Sequence, residues 1–142
     1  MNILISACLM GRKCRYDGKD KNSIDLSVFE GHNLIPVCPE VDGGLSIPRA
    51  PAERVSSYII NKEGNDVTAE FKLGAKKALQ TAIENNCKIA VLKAKSPSCG
   101  KGRIYDGSFS GTLTDGNGIT AELLLANGIA VYTEDEIGLI KL

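Results

Sequence analysis

The sequence predicts a three-layer α/β/α fold around a mainly parallel, Rossmann-like sheet of four to five strands, on three observations. Short apolar runs at residues 2–7, 33–37, 88–94 and 129–132 alternate with helical segments and one long excursion, the order that right-handed parallel crossovers produce. Phe71, Ala75, Ala78, Leu79, Ala82 and Ile83 form a single apolar stripe at helical spacing. Three of the runs lead into a cysteine: Cys8, Cys38 and Cys99. In an open parallel sheet the carboxyl ends of the strands line one edge, and ligands bind in the crevice there. With strands about 4.8 Å apart, groups just beyond neighbouring strand ends lie roughly 5 to 10 Å from one another, close enough to share one metal centre.

Residues 2–7 make the first, central strand. The polar, cationic stretch 11–22 is closed by the turn signal Asp17-Gly18 and forms a loop over the site. It reads either as a solvated surface or as a loop that aims Arg15 and Asp17 back at the crevice. Ser23 caps a short helix over 24–31, with Leu26 and Phe29 or Val28 inward. Pro36 puts the strand at 33–37 on an edge or places the proline at its tip, and 38–44 leaves that strand along an irregular, glycine-closed path. Pro48 and Pro51 exclude a regular helix start and stiffen 48–54.

Residues 57–62 alternate weakly before Glu63-Gly64-Asn65-Asp66, which marks a small hairpin or a lone strand. The long helix takes Asp66 or Thr68 as its cap and ends at Asn85-Asn86; Cys87 then opens the next strand. Residues 102–117 are rich in Gly, Ser, Thr and Asp, the composition of a long lid or ribbon. An apolar helix at 119–126 stops at Asn127-Gly128, and after the last strand Thr133-Glu134-Asp135-Glu136 has the capping-box form of a short closing helix. One local echo stands out: Tyr16-Asp17-Gly18 follows Cys8, and Tyr105-Asp106-Gly107 follows Cys99. It is either a pair of similar loops or two unrelated Asp-Gly turns.

At 142 residues the chain has the length of one domain, spanning 1–142. Seventeen Lys and Arg residues balance seventeen Asp and Glu residues, so no global field draws the molecule to a nucleic-acid polymer or an anionic membrane. No run approaches the roughly 18 apolar residues of a membrane span, and the first residues lack a secretory pattern; a cytoplasmic protein is expected. Five cysteines, an odd number, fit metal binding or reactive thiols better than a disulfide framework. The chain has no tryptophan and few other aromatics, leaving little material for a single-strand stacking platform.

Among the cysteines, Cys87 lies at the start of its strand and reads as a buried packing residue, while Cys14 sits in a loop able to fold inward or outward. None belongs to a Cys-x-x-Cys pair, and the single histidine, His32, precedes the second strand at the wrong end; zinc and a Cys–His nucleophile are the weaker choices. Three thiolates from separate strand ends better suit an iron–sulfur cube with one iron left open, with a thiol nucleophile or plain packing as alternatives. Glu40, two residues after Cys38, either activates a water or caps a helix and pairs with Arg49. Arg15, Asp17, Arg49 and Glu53 either contact a ligand or pin loops as ion pairs.

The motifs Ser6-Ala7-Cys8-Leu9-Met10-Gly11 with Arg15-Tyr16-Asp17-Gly18, Pro36-Val37-Cys38-Pro39-Glu40, Pro48-Arg49-Ala50-Pro51-Ala52-Glu53, and Lys95-Ser96-Pro97-Ser98-Cys99-Gly100 together resemble the thiouracil desulfidases, a family of small bacterial proteins. The resemblance runs from end to end. It implies a [4Fe-4S] cluster on Cys8, Cys38 and Cys99, whose fourth iron takes sulfur from a thiolated pyrimidine. It implies Glu40 as the acid/base group, Ser96 or Ser98 as a substrate-positioning hydroxyl, and no ligand role for Cys14. Arg15, Asp17 and Arg49 are the candidate substrate contacts. The expected partner is a small thiolated nucleobase, and the expected state a monomer or weak homodimer. A non-catalytic iron–sulfur or metal carrier or sensor is the alternative. The 102–117 segment is expected to roof a narrow slot that Glu40 faces.

Overall fold

A computed structural model describes residues 1–20 and 22–142. Strand β1 (Asn2–Ser6) leads into a 3₁₀ turn, Ala7–Met10; a second such turn, Ser27–Phe29, precedes β2 (Asn33–Val37). The four-residue helix α1 (Pro39–Asp42) is followed by a hairpin of β3 (Ala52–Val55) and β4 (Tyr58–Asn61). The long helix α2 (Thr68–Glu84) leads to β5 (Ile89–Leu92), and the ribbon of β6 (Arg103–Tyr105) and β7 (Leu113–Asp115) comes next. Helix α3 (Ile119–Ala126), β8 (Ala130–Thr133) and a 3₁₀ segment, Glu134–Leu139, close the chain.

The main sheet has the order β2-β1-β5-β8, and every pairing in it is parallel. Chain order reverses between β1 and β5, the place where open α/β sheets open a ligand crevice at their carboxyl ends. Alternation along β1 sends Leu4 to one face with Ala90, Leu92, Ala78, Ala82 and Leu124, beneath α2 and α3. It sends Ile3 and Ile5 to the other face with Val91, Leu9 and Phe29. The three-layer α/β plan is therefore as the sequence predicts, with one outer layer built of 3₁₀ turns rather than α-helices. Pro36 lies in the edge strand β2, where a missing N–H does least harm.

Several local expectations change. Residues 24–31 form the single turn Ser27–Phe29 rather than a helix: the Asp25 carboxylate accepts the Ser27 N–H at 2.9 Å, a side-chain bond that competes with helical pairing. Phe29 is buried and Val28 exposed. The path at 38–44 contains α1, which the sequence does not announce because one turn has no periodicity. Pro39 suits its first position, and the Asp42 carboxylate accepts the Cys38 N–H at 3.2 Å.

The hairpin expected at 57–62 has β3 as its partner strand, and the 102–117 excursion is a ribbon. The N-cap of α2 is Val67, which makes no side-chain cap bond, rather than Asp66 or Thr68; Asp66, one residue earlier, accepts the Thr68 N–H at 2.9 Å, and Thr133 and Glu136 form the expected capping box at the start of the closing 3₁₀ segment. Helix α1 meets α2 backbone to backbone: a Cβ on Gly74 would stand 1.8 Å from the Pro39 carbonyl oxygen, and one on Gly43 would stand 1.9 Å from that of Glu70. Among the described residues no helix is long and apolar enough to cross a membrane.

Candidate metal and substrate site

A cavity of about 530 Å³ opens at the carboxyl ends of β1, β2 and β5. Three local structures deliver a thiol to its wall. The 3₁₀ turn after β1 carries Cys8 and is closed by Gly11, whose positive φ of 89° lets its N–H return to the Cys8 carbonyl at 3.1 Å. Cys38 ends β2 and precedes α1. After β5, Ser96 Oγ accepts the N–H groups of Ser98 and Cys99 at 3.0 and 2.9 Å, which folds the turn so that Cys99 lines the cavity. Cys14 lines it too, since its loop folds inward; buried Cys87 does not.

The thiols are electrostatically coupled. Burial raises the Cys99 thiol to about 12, moderated by hydrogen bonds from Ser6 and Ser98. Burial also raises Cys8, against a hydrogen bond from Asn22. Cys14 and Cys38 share a hydrogen bond, which lowers Cys38 and raises Cys14. As a thiol Cys38 donates instead to the Cys14 carbonyl at 3.9 Å. Protons held on buried thiols are released when a metal binds, because the ligand is the thiolate.

Glu40 projects from α1 into the cavity, with its side chain 23 % exposed. Burial raises its carboxyl above the usual range, opposed by the Arg49 guanidinium. Arg49 Nε donates to Glu40 at 3.3 Å, and its other nitrogens reach the carbonyls of Cys14 at 2.9 Å and Ser46 at 3.1 Å. Arg49 thus ties the Cys14 loop to the carboxylate. Arg15 lines the cavity, lies over the Tyr16 ring, and makes a bidentate pair with Asp17 at 3.0 and 3.1 Å. Asp17 itself is not part of the lining.

The two serines separate. Ser96 lines the cavity, whereas Ser98 is fully buried and bonded to Thr120 Oγ1 at 2.8 Å. Of the two hydroxyls expected as alternatives, Ser96 is the one on the cavity wall: the backbone turn that presents Cys99 sends Ser98 into the core. The Tyr-Asp-Gly echo is a shared geometry. Asp17 and Asp106 each accept the N–H two residues on, at 3.0 and 2.9 Å, Gly18 and Gly107 have positive φ, and both tyrosines line the cavity.

The residues that sequence reasoning missed are mostly cations and aromatics. Lys93 lines the cavity and pairs with Glu134 at 2.5 Å. Lys62 and Lys95 line it with no ion-pair partner among the described residues. Ser6 lies within the first motif and Lys95 within the last, but nothing in their spacing marks them as site residues. Among the described residues the wall carries five cations, Arg15, Arg49, Lys62, Lys93 and Lys95, against Glu40 and Glu53.

The donor set suits a cluster. Soft thiolates select iron–sulfur centres, and the thiols of Cys8, Cys14, Cys38 and Cys99 stand around one cavity. The Glu40 carboxylate, with its raised proton affinity, lines the same cavity as the thiols.

Comparison with known proteins agrees with this chemistry. The family model described as 2-thiouracil desulfurase matches residues 3–136. An uncharacterised protein of Bacillus subtilis, YbbK, is 40% identical over 146 residues, covering 95% of this chain and 97% of that protein. A solved structure of the [4Fe-4S]-dependent thiouracil desulfidase TudS superposes with a TM-score of 0.91 at 44% identity, covering 97% of this chain and 93% of that one. With a match of this extent in sequence and in fold, the chain belongs to the 2-thiouracil desulfurase family.

Proposed function

We propose that this chain removes sulfur from thiolated pyrimidines, with a [4Fe-4S] cluster held by Cys8, Cys38 and Cys99 and with water supplying the replacing oxygen. The observation that carries this reading is one cavity in which thiols from three strand ends meet the carboxylate of Glu40. When bound, such a cluster supplies an iron without a protein ligand, a soft Lewis acid suited to a thiocarbonyl sulfur.

The chain's own groups do the rest. Glu40 Oε accepts a proton from the water that attacks the carbon bearing the sulfur; burial brings its proton affinity closer to what a general base requires. Arg49 keeps the carboxylate aimed into the cavity and moderates that rise. Ser96, whose oxygen already accepts two backbone N–H groups, has its hydroxyl proton left to donate to the heterocycle. Asp17 fixes Arg15, which contributes a guanidinium to the wall beside Tyr16. The substrate is a small nucleobase rather than a polymer, and the working unit is a monomer or weak homodimer in the reducing cytoplasm, where free thiols persist.

The test is anaerobic reconstitution followed by incubation with 2-thiouracil and 4-thiouracil. The expected result is a brown protein with equal iron and inorganic sulfide, releasing sulfide and uracil in equal amounts. A cluster-loaded protein that desulfurates no thiolated pyrimidine would fit the carrier instead, and would end the enzyme reading.

A further inference from the structure

Phe109 is out of place by the ordinary rules of packing. It is a non-glycine residue with φ of 55°, a conformation that a bulky side chain adopts only under constraint. It belongs to neither core cluster, yet it lines the cavity. The constraint is explicit. Glu53, on β3 and 8 % exposed, accepts the N–H groups of Gly107 and Phe109 on one carboxylate oxygen, at 2.9 and 3.1 Å.

The ribbon tip is fixed at its other contacts as well. Gly107 approaches β3 so closely that a Cβ there would lie 2.5 Å from Val55 Cγ2. Asp106 accepts the Ser108 N–H at 2.9 Å and donates its own N–H to the Thr112 carbonyl at 3.0 Å. Arg54, next to Glu53, holds the foot of the ribbon through the Asn117 carbonyl at 2.7 Å. A buried carboxylate spent on two backbone donors of a surface ribbon, together with a strained aromatic residue at a cavity wall, is an arrangement for presenting a flat apolar face.

We propose that Phe109 is the stacking wall of the ligand site, and that Glu53 is the positioning residue which holds it there. The identity of the ligand as a flat thiocarbonyl heterocycle rests on the desulfidase reading; the wall rests on the geometry of the ribbon. Aromatic faces bind nucleobase rings through stacking with little dependence on the base. Stacking of this kind holds ground state and transition state alike, so it acts on KM rather than kcat.

The test uses the cluster-loaded protein and 2-thiouracil as the probe. Phe109→Ala raises KM roughly 5- to 100-fold, the effect of losing one base–aromatic stack, with kcat and iron content unchanged; Phe109→Tyr stays near the parent. Because the chain has no tryptophan, Phe109→Trp also installs a single indole, excited apart from the tyrosines at wavelengths beyond their absorption, which 2-thiouracil quenches saturably. Glu53→Ala reproduces the rise in KM and lowers the anisotropy of that indole, and Glu53→Gln, which keeps an oxygen acceptor, restores both. An unchanged KM in Phe109→Ala, with turnover intact, overturns this proposal alone, as does loss of iron in that variant. If the parent desulfurates nothing, the desulfidase reading falls, and the quenching titration still decides for or against the wall.

Discussion

Arg49 holds Glu40 with a single hydrogen bond of 3.3 Å while its remaining nitrogens go to the carbonyls of Cys14 and Ser46. One guanidinium thereby sets the direction of the carboxylate without neutralising it fully, and burial still leaves the Glu40 carboxyl raised. Replacing Glu40 by glutamine keeps an oxygen for Arg49 and removes the carboxylate that the proposed reading makes the base. Glu40→Gln is expected to lower kcat for desulfuration by about 10² to 10⁴, with iron content and thiopyrimidine affinity unchanged. Anaerobic kinetics beside iron analysis and a binding titration check this.

The Cys38 thiol donates to the Cys14 carbonyl at 3.9 Å, and both residues line the cavity, so proximity alone is a poor guide to which thiols hold the cluster. Cys38→Ser is expected to lose most of its iron after anaerobic reconstitution, and Cys14→Ser to retain it. Iron and sulfide per chain decide the matter. Equal loss in both variants would mean four protein thiolates and a closed cluster, with no position for sulfur.

Ser96 and Ser98 stand two residues apart and are expected to respond differently. Ser98→Ala leaves Thr120 Oγ1 without its buried partner and should lower the free energy of unfolding by about 1 to 3 kcal/mol, with kcat/KM of the folded enzyme unchanged. Ser96→Ala removes the acceptor of the Ser98 and Cys99 N–H groups and should reduce turnover. Urea unfolding and steady-state kinetics on both variants give the comparison.

Gly74 lies inside α2, where alanine would ordinarily stabilise a helix by about 1 kcal/mol. Here the added methyl would fall 1.8 Å from the Pro39 carbonyl oxygen, a backbone atom that no rotamer change can move. Gly74→Ala is expected to destabilise the protein by about 3 kcal/mol and to lower kcat as well, because α1 carries Glu40. A lowered urea midpoint together with a slower cluster-loaded enzyme is the expected pair of results.

Much of the sheet was legible because its cause is local in sequence. The alternation Ile3-Leu4-Ile5 and the stripe on α2 declare which faces are buried, and Asn127-Gly128 stops α3 where the sequence predicts. Cys8, Cys38 and Cys99 could be brought to one edge from strand ends alone. What could not be read depends on long-range or single-turn events. Helix α1 is too short for a period, and β3 pairs with β4 through residues with no strong strand signal. The inward fold of Cys14 follows from Arg49, 35 residues away. Ser96 and Ser98 look alike in sequence, and only the turn decides which of them faces the cavity. Phe109 drew no notice because its strain, and the carboxylate that sustains it 56 residues earlier, exist only in the fold.

The two sides of the cavity are built to different tolerances. The Glu40 side rests on the seam where Gly43 and Gly74 let two helices touch through their main chains, so no repacking of core side chains shifts it gradually. The ribbon side hangs on polar hooks, Glu53 at its tip and Arg54 at its foot, and residues 106–112 have little part in the core. On the proposed reading, reactivity and choice of ligand are thus carried by separable parts of the chain. An engineer seeking to admit a different thiocarbonyl ring would graft new ribbon tips between β6 and β7 and leave the seam alone.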